Sequence, residues 1–434
     1  MQTSRRSLCS LSNALVILGL VACTPAVTPS PTLSPVPSVV PTMTTLPTGT
    51  PPSTPVPSPT PTPTPRTASA PVDSRPLTIS YIQMIDRSIG WAEGFHGTVG
   101  HTRILRTMDG GATWRDVSPG ALVNFGRSAF FLDTLVAWAW SGESGETWST
   151  QDGGESWTPT QQADSRFDVW FNDSQHGWRA NAAYWGVSFL EIGFDFLEST
   201  QNGGRTWQPT NPPPGNGYAY LAFPEAQTAW ALQTDTDHRD YEGFAHLEVP
   251  WSLEVTTDGG RTWQSHSVPV PPDARLRLWT ETKFYLDLGL CDFVAPVYAS
   301  STIWKLALTC ENHGWMYTTA NQGKTWAISL LPEGSLIQGI QFLDPKVGWM
   351  LRWNQLGTSL GRLYLTIDGG ETWTLLKHTE WAAAQFNFVD AGTGWAVAST
   401  CTEFTCNRLE ADTVLVKTTD GGRTWQALEP RLVP

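Results

Sequence analysis

The sequence predicts an all-β chain, a seven-bladed β-propeller of four-stranded antiparallel blades, on three observations. One turn pattern occurs seven times: a hydroxyl residue, any residue, Asp or Asn, any residue, Gly, any residue, Thr or Ser, and Trp. It ends at Trp114, Trp157, Trp207, Trp263, Trp326, Trp373 and Trp425, so successive copies lie 43, 50, 56, 63, 47 and 52 residues apart. A second tryptophan precedes each copy, at Trp91, Trp138, Trp178, Trp230, Trp304, Trp349 and Trp395; the two sets make 14 of the 23 tryptophans. Between these markers the chain reads as short alternating runs bounded by Gly and Asp, with no amphipathic helix. Repeats of this length that cannot bury both faces alone stack side by side, and a ring removes the free ends.

Each repeat reads as strands A to D. Strand A is apolar with alternation, as from Leu77 to Ile85, and a short polar turn follows. Strand B begins at a Gly-Trp pair, as at Gly90-Trp91, Gly348-Trp349 and Gly394-Trp395. A variable loop leads to strand C, such as Ile104-Leu105-Arg106-Thr107. The Asp-Gly-Gly turn then reverses the chain into strand D. Its acidic slot holds Asp109, Asp152, Asn202, Asp258, Asn321, Asp368 and Asp420. A carboxylate there accepts backbone N–H groups, glycine supplies positive φ, and tryptophan fills the gap between neighbouring sheets.

The first 75 residues are of a different kind. Arg5 and Arg6 precede an apolar run from Ala14 to Val21 that ends Leu20-Val21-Ala22-Cys23. A charged start, a short apolar stretch and small residues before a cut describe a secretory signal over 1–22, too short to span a membrane. The Leu-Val-Ala-Cys ending resembles the bacterial lipobox, which implies diacylation of Cys23. Residues 23–75 follow as a disordered linker of Pro, Thr, Ser and Val, unable to bury enough apolar area to fold. The propeller then occupies 76–434. The expectation is an exported chain held at a membrane by its lipid alone, at the cell surface or in the periplasm.

Formal net charge is −13, which excludes a nucleic-acid footprint. Four cysteines lie in the folded part. Cys291 opens strand A of blade 5 and Cys310 ends its strand B, opposite one another, while Cys401 and Cys406 sit at the neck of one loop in blade 7. An even number in an exported chain points to two disulfides. Neither pair has metal-ligand spacing, and neither a metal nor another cofactor is expected.

Thr107-Met108-Asp109-Gly110-Gly111-Ala112-Thr113-Trp114 and its sisters resemble the Asp-box, or bacterial neuraminidase repeat, of the sialidase-like superfamily. The Phe-x-Asp…Gly-Trp strands, as Phe342-Leu343-Asp344 before Gly348-Trp349, resemble the photosystem II assembly/stability factor family. The resemblance covers 77–434. It implies a seven-bladed propeller and favours a protein partner, but the family's membrane-protein contacts use a basic patch and this acidic chain has no arginine cluster to carry them over; other Asp-box proteins are sialidases and xyloglucanases.

With C–D turns on one face, the B–C loops and D–A connections lie on the other, where long insertions on a rigid scaffold place recognition. Candidate binding residues are Arg179, Tyr184 and Trp185 in blade 3, and Asp235, Asp237 and Tyr241 in blade 4. The Phe/Tyr-Arg-Ile-Pro entry of sialidases is absent, and no carboxylates pair at glycosidase spacing, so no catalytic residue is assigned. The expected function is a monomeric, non-catalytic binder of a protein or glycan. The alternative is an exo- or endo-acting glycoside hydrolase with an unfamiliar carboxylate pair.

Overall fold

A computed structural model describes residues 64–65, 77–96, 102–120, 122, 127–142, 144–160, 168–180, 197–214, 218–233, 251–271, 291–310, 313–334, 336–353, 360–400 and 413–434. Over these residues the chain is all-β, with seven antiparallel sheets whose strands follow sequence order, A to D. Blade 1 comprises Leu77–Met84, Gly90–His96, Arg103–Thr107 and Thr113–Asp116. Blade 2 comprises Ala129–Phe131, Ala137–Trp140, Thr147–Thr150 and Ser156–Pro159, and blade 3 Asp168–Phe171, Gly177–Ala180, Leu197–Thr200 and Gln208–Pro209. Blade 4 comprises Tyr218–Glu225, Thr228–Gln233, Trp251–Thr256 and Gln264–Val268, and blade 5 Cys291–Ala299, Trp304–Cys310, His313–Thr319 and Ala327–Leu330. Blade 6 comprises Ile337–Phe342, Gly348–Trp353, Gly361–Thr366 and Thr374–Thr379, and blade 7 Ala383–Phe388, Gly394–Ser399, Thr413–Thr418 and Gln426–Ala427.

The repeated turn is satisfied from within. Thr418 Oγ1 donates to Asp420 Oδ1 at 2.9 Å and accepts the N–H of Gly422 at 2.9 Å. Asp420 accepts the backbone N–H of Thr424 at 2.9 Å and its hydroxyl at 2.6 Å. Where Asn replaces Asp, the amide keeps the bond by reversing it: Asn202 Nδ2 donates to Thr206 Oγ1 at 2.8 Å. The first glycine, Gly421 (φ 76°), lies against the A–B turn of its own blade and donates to Gly392 O. A Cβ there would meet Ala391 O at 2.8 Å. Blade 5 carries Gln322 in that slot at φ 60°; its A–B turn spans only four residues, 300–303, against five in blade 7.

Thr418 is 2% exposed, so its hydroxyl cannot be replaced by water. Thr418→Val should cost about 1–3 kcal/mol by leaving the buried Gly422 N–H unpaired, read as a lower urea midpoint with unchanged slope.

Seven apolar clusters fill the seams, one for each neighbouring pair of blades including 7 and 1, so the ring is closed. The Phe…Gly-Trp pattern has a packing cause. Phe388, ending strand A of blade 7, stacks on Trp349 of blade 6 with ring centroids 3.5 Å apart and planes 2° apart. Its ring lies over Gly394, where a Cβ would meet Phe388 Cδ1 at 2.4 Å. Phe171 repeats this against Trp138 at 3.4 Å and over Gly177. The indole N–H of the strand-B tryptophan then donates to the turn of the next blade, as Trp349 to Gly421 O and Trp395 to Gly110 O, both at 2.9 Å.

The A strands of successive blades are neighbours, which places them innermost. Side-chain amides satisfy part of their inner backbone. Gln385 of blade 7 accepts the N–H of Ile82 and donates to its C=O, both at 3.0 Å. Asn387 accepts the N–H of Met84 at 2.6 Å, and Gln341 pairs likewise with Phe388.

The last strand also ties the ring shut: Arg431–Val433 leaves blade 7 and pairs in parallel with strand D of blade 1, Thr113–Asp116. Leu432 packs against the cluster joining blades 7 and 1, which favours that edge over solvent. Thr64–Pro65, within the segment read as linker, pairs with Ser156 and Trp157 of blade 2.

Candidate functional site: the loop-bearing face

Strands A and C run toward the repeated turns, and B and D run away from them. Gly110 donates to Ser88 O and Gly369 to Lys346 O, which fixes the A–B and C–D turns on the same face. Every B–C and D–A segment therefore starts and ends on the opposite face. Segments 181–196 and 234–250 join strands B and C of blades 3 and 4, and 272–290 joins blade 4 to blade 5. Tyr184, Trp185, Asp235, Asp237 and Tyr241 fall in those segments and lie outside the described residues, as do Cys23, Cys401 and Cys406.

Arg179 is described. It is buried in strand B of blade 3, where its Nε donates to Glu198 Oε2 at 2.5 Å and its guanidinium lies 4.8 Å from the Trp207 ring centroid. Cys291 and Cys310 are directly opposed backbone partners across strands A and B of blade 5. Among the described residues no group of three or more His, Cys, Asp or Glu side chains gathers to hold a metal ion.

The charged cluster toward this face that the sequence did not single out is Tyr81, Glu93 and Arg127. Tyr81 and Glu93 face one another across strands A and B of blade 1, and Arg127 comes from the connection into blade 2. The guanidinium lies 3.5 Å from the Tyr81 ring centroid, and its Nε donates to Glu93 Oε1 at 2.9 Å. The N–H groups of Ser128 and Ala129 also donate to the Glu93 carboxylate. Burial pushes the Glu93 pKa up, opposed by Arg127 and the two backbone donors. A Tyr/Glu pair beside an arginine has the composition of a glycosidase site. Here both carboxylate oxygens are engaged and one face of the tyrosine is covered, so the trio ties blade 1 to blade 2.

The opposite face is chemically spent. The Thr262 hydroxyl and N–H hold Asp258 at about 2, and the Thr424 hydroxyl and N–H do the same for Asp420. Arg87 and two backbone donors bring Asp390 to about 2. These folded pKa values lie below the unfolded one, so their stabilisation is complete above about pH 4 and is lost as pH falls toward 2. Thermal melts should decline across that window, and Asp420→Asn should remove one share of the decline.

No family model and no curated protein matches the chain. Solved structures do. A puromycin-hydrolysing peptidase of Mycobacterium tuberculosis is 12% identical with a TM-score of 0.51, over 82% of this chain and 54% of that one. YCF48 from Cyanidioschyzon merolae is 14% identical with a TM-score of 0.47, over 80% and 97%. YCF48 bound to D1 peptide is 17% identical with a TM-score of 0.44, over 77% and 94%. What is shared is the fold. A shared propeller by itself assigns no chemistry.

Proposed function

We propose that this is a surface-anchored, non-catalytic propeller that binds a protein partner, or a glycan, through the face carrying the B–C and D–A segments. One observation carries this reading: the non-repeating segments all begin and end on one face of a rigid ring, while the repeated turns of the other face satisfy themselves. The turns are read as Asp-boxes and the strand pattern as that of the assembly-factor family, which favours a protein partner. Tyr184, Trp185, Asp235, Asp237 and Tyr241 are the contact candidates. The chain is read as an exported monomer, cut before Cys23 and lipidated there.

The test is capture from intact cells by the lipid-free chain. Tyr184→Ala with Trp185→Ala should abolish capture without lowering the melting temperature. Glycan hydrolysis that is lost on replacing either of two carboxylates would overturn the proposal in favour of a glycoside hydrolase. Two disulfides, Cys291–Cys310 and Cys401–Cys406, belong to the same reading. Reduction should add the mass of four hydrogens, two for each disulfide; four free thiols before reduction would refute them.

A further inference from the structure

We infer that the linker is fastened to the ring at Thr64–Pro65, a fifth strand on the outer edge of blade 2 that the alternation of proline in the sequence selects. The pairing is antiparallel, with Thr64 opposite Trp157 and Pro65 opposite Ser156 of strand D. On the other side of strand D, the Thr160 N–H donates to Thr147 O of strand C, and Thr158 stands opposite Ser149. Backbone groups alternate along a strand, so Trp157 turns its N–H and C=O outward, to the edge that Thr64 covers. Opposed pairs alternate as well. Thr64 with Trp157 is the hydrogen-bonded pair, and Pro65 with Ser156 is the pair that asks for no N–H from position 65.

The sequence is in phase with this register. Proline stands at every odd position from 55 to 65, and Val56, Ser58, Thr60, Thr62 and Thr64 alternate with it. An extended chain of that pattern carries all its N–H groups on one side, because proline has none. With Thr64 turned toward strand D, the donors of this pattern belong to the inward side and the outward side has none, so the edge ends there. Proline also holds a chain near extended backbone before it docks, which reduces the entropy lost on docking. The next outward position of strand D is Pro159, which has no N–H to offer, and this confines the contact to the neighbourhood of Trp157.

The pairing moves the point at which the linker meets the ring. Strand D runs from the turn face to the loop-bearing face, so a strand antiparallel to it is entered from the loop-face end. On the reading of 1–75 as signal and linker, the linker then reaches the ring at the rim of blade 2, not at strand A of blade 1. It does so from the side of the face proposed to bind the partner. The other end of the chain is fastened next door, where Arg431–Val433 covers the outer edge of blade 1. An ion pair between Arg115 of blade 1 and Glu155 of blade 2 joins the two rims.

In the full chain, Pro65→Cys with Ser156→Cys sets two thiols across a non-hydrogen-bonded pair, whose Cα separation of about 4.5 Å suits a disulfide. Air oxidation and peptide mapping should trap this bridge at least about tenfold faster than the one from Pro61→Cys with Ser156→Cys. Equal rates would mean that the linker merely passes near blade 2 and would overturn the inference. A bridge between two copies, seen as a covalent dimer, would put another chain's linker on the edge and would also overturn it. Hydrogen exchange gives a second reading without added cysteines. Thr60→Pro, Thr62→Pro and Thr64→Pro together remove the inward donors and should speed exchange of the Trp157 N–H at least about tenfold, leaving that of Thr158, held by strand C, unchanged. An unchanged Trp157, or equal acceleration at both residues, would sink the proposal. Lipidation of Cys23 is read separately, from the mass of the peptide it begins, so failure of the anchor and failure of the fastening are distinguishable.

Discussion

Replacing Phe388 by alanine is expected to remove about 3–5 kcal/mol of stability, the usual cost of truncating a buried aromatic ring. Phe388 is 2% exposed and stacked on Trp349, so the substitution empties a site bounded by a rigid indole on one side and the Gly394 backbone on the other. Neither wall can collapse inward easily. The inner-strand amide pairing with Gln341 uses only the Phe388 backbone and survives the change. Urea denaturation reads the loss. A cost under about 1 kcal/mol would mean that the stack does not hold blade 6 to blade 7.

The second large effect is Arg127→Ala, for a different reason. The Glu93 side chain is 3% exposed, and Arg127 is the cation paired with it. Removing the guanidinium leaves a buried carboxylate without a counter-charge, at a cost of about 3–5 kcal/mol near neutral pH. The sign of the pH dependence follows. Burial already raises the folded pKa of Glu93, and losing Arg127 raises it further. A folded state that holds its proton more tightly gains stability as pH falls. The deficit should therefore be greatest at pH 7.5 and shrink as pH approaches the unfolded value, roughly 4.3. Chemical denaturation at several pH values measures this; a deficit independent of pH would show that the ion pair contributes only packing.

The fold was legible because its determinants recur. Seven tryptophans close the same eight-residue turn and seven more stand within the first three residues of strand B, so chance matches at one copy are outweighed by the period. The amides that bind neighbouring inner strands left a weaker trace. Gln83, Gln341 and Asn387 each precede the last residue of strand A, in blades 1, 6 and 7, but Phe130 and Trp170 stand there in blades 2 and 3. A position kept in three of seven repeats is visible only once the strands are aligned. Arg431–Val433 left no trace, because three residues carry too little pattern to name the blade they join.

The site was less legible than the scaffold. Glu93 and Arg127 lie 34 residues apart and have no counterparts at the equivalent positions of other blades, so nothing in the period draws attention to them. Arg179 was singled out because it opens a long insertion, yet its own strand turns it inward onto Glu198 and Trp207. Proximity to a loop in sequence does not fix which way a strand residue points; alternation does.

The inner-strand amides have a consequence for where such a molecule can work. Gln83, Gln341, Gln385 and Asn387 join blades through neutral groups. Dissolved salt weakens exposed ion pairs, whose reach is about 8 Å at physiological ionic strength, but it has no charge to screen here. These inner-strand joints should hold equally well in dilute freshwater and in brine, leaving sensitivity to salinity to exposed ion pairs of the turn face such as Arg87 with Asp390.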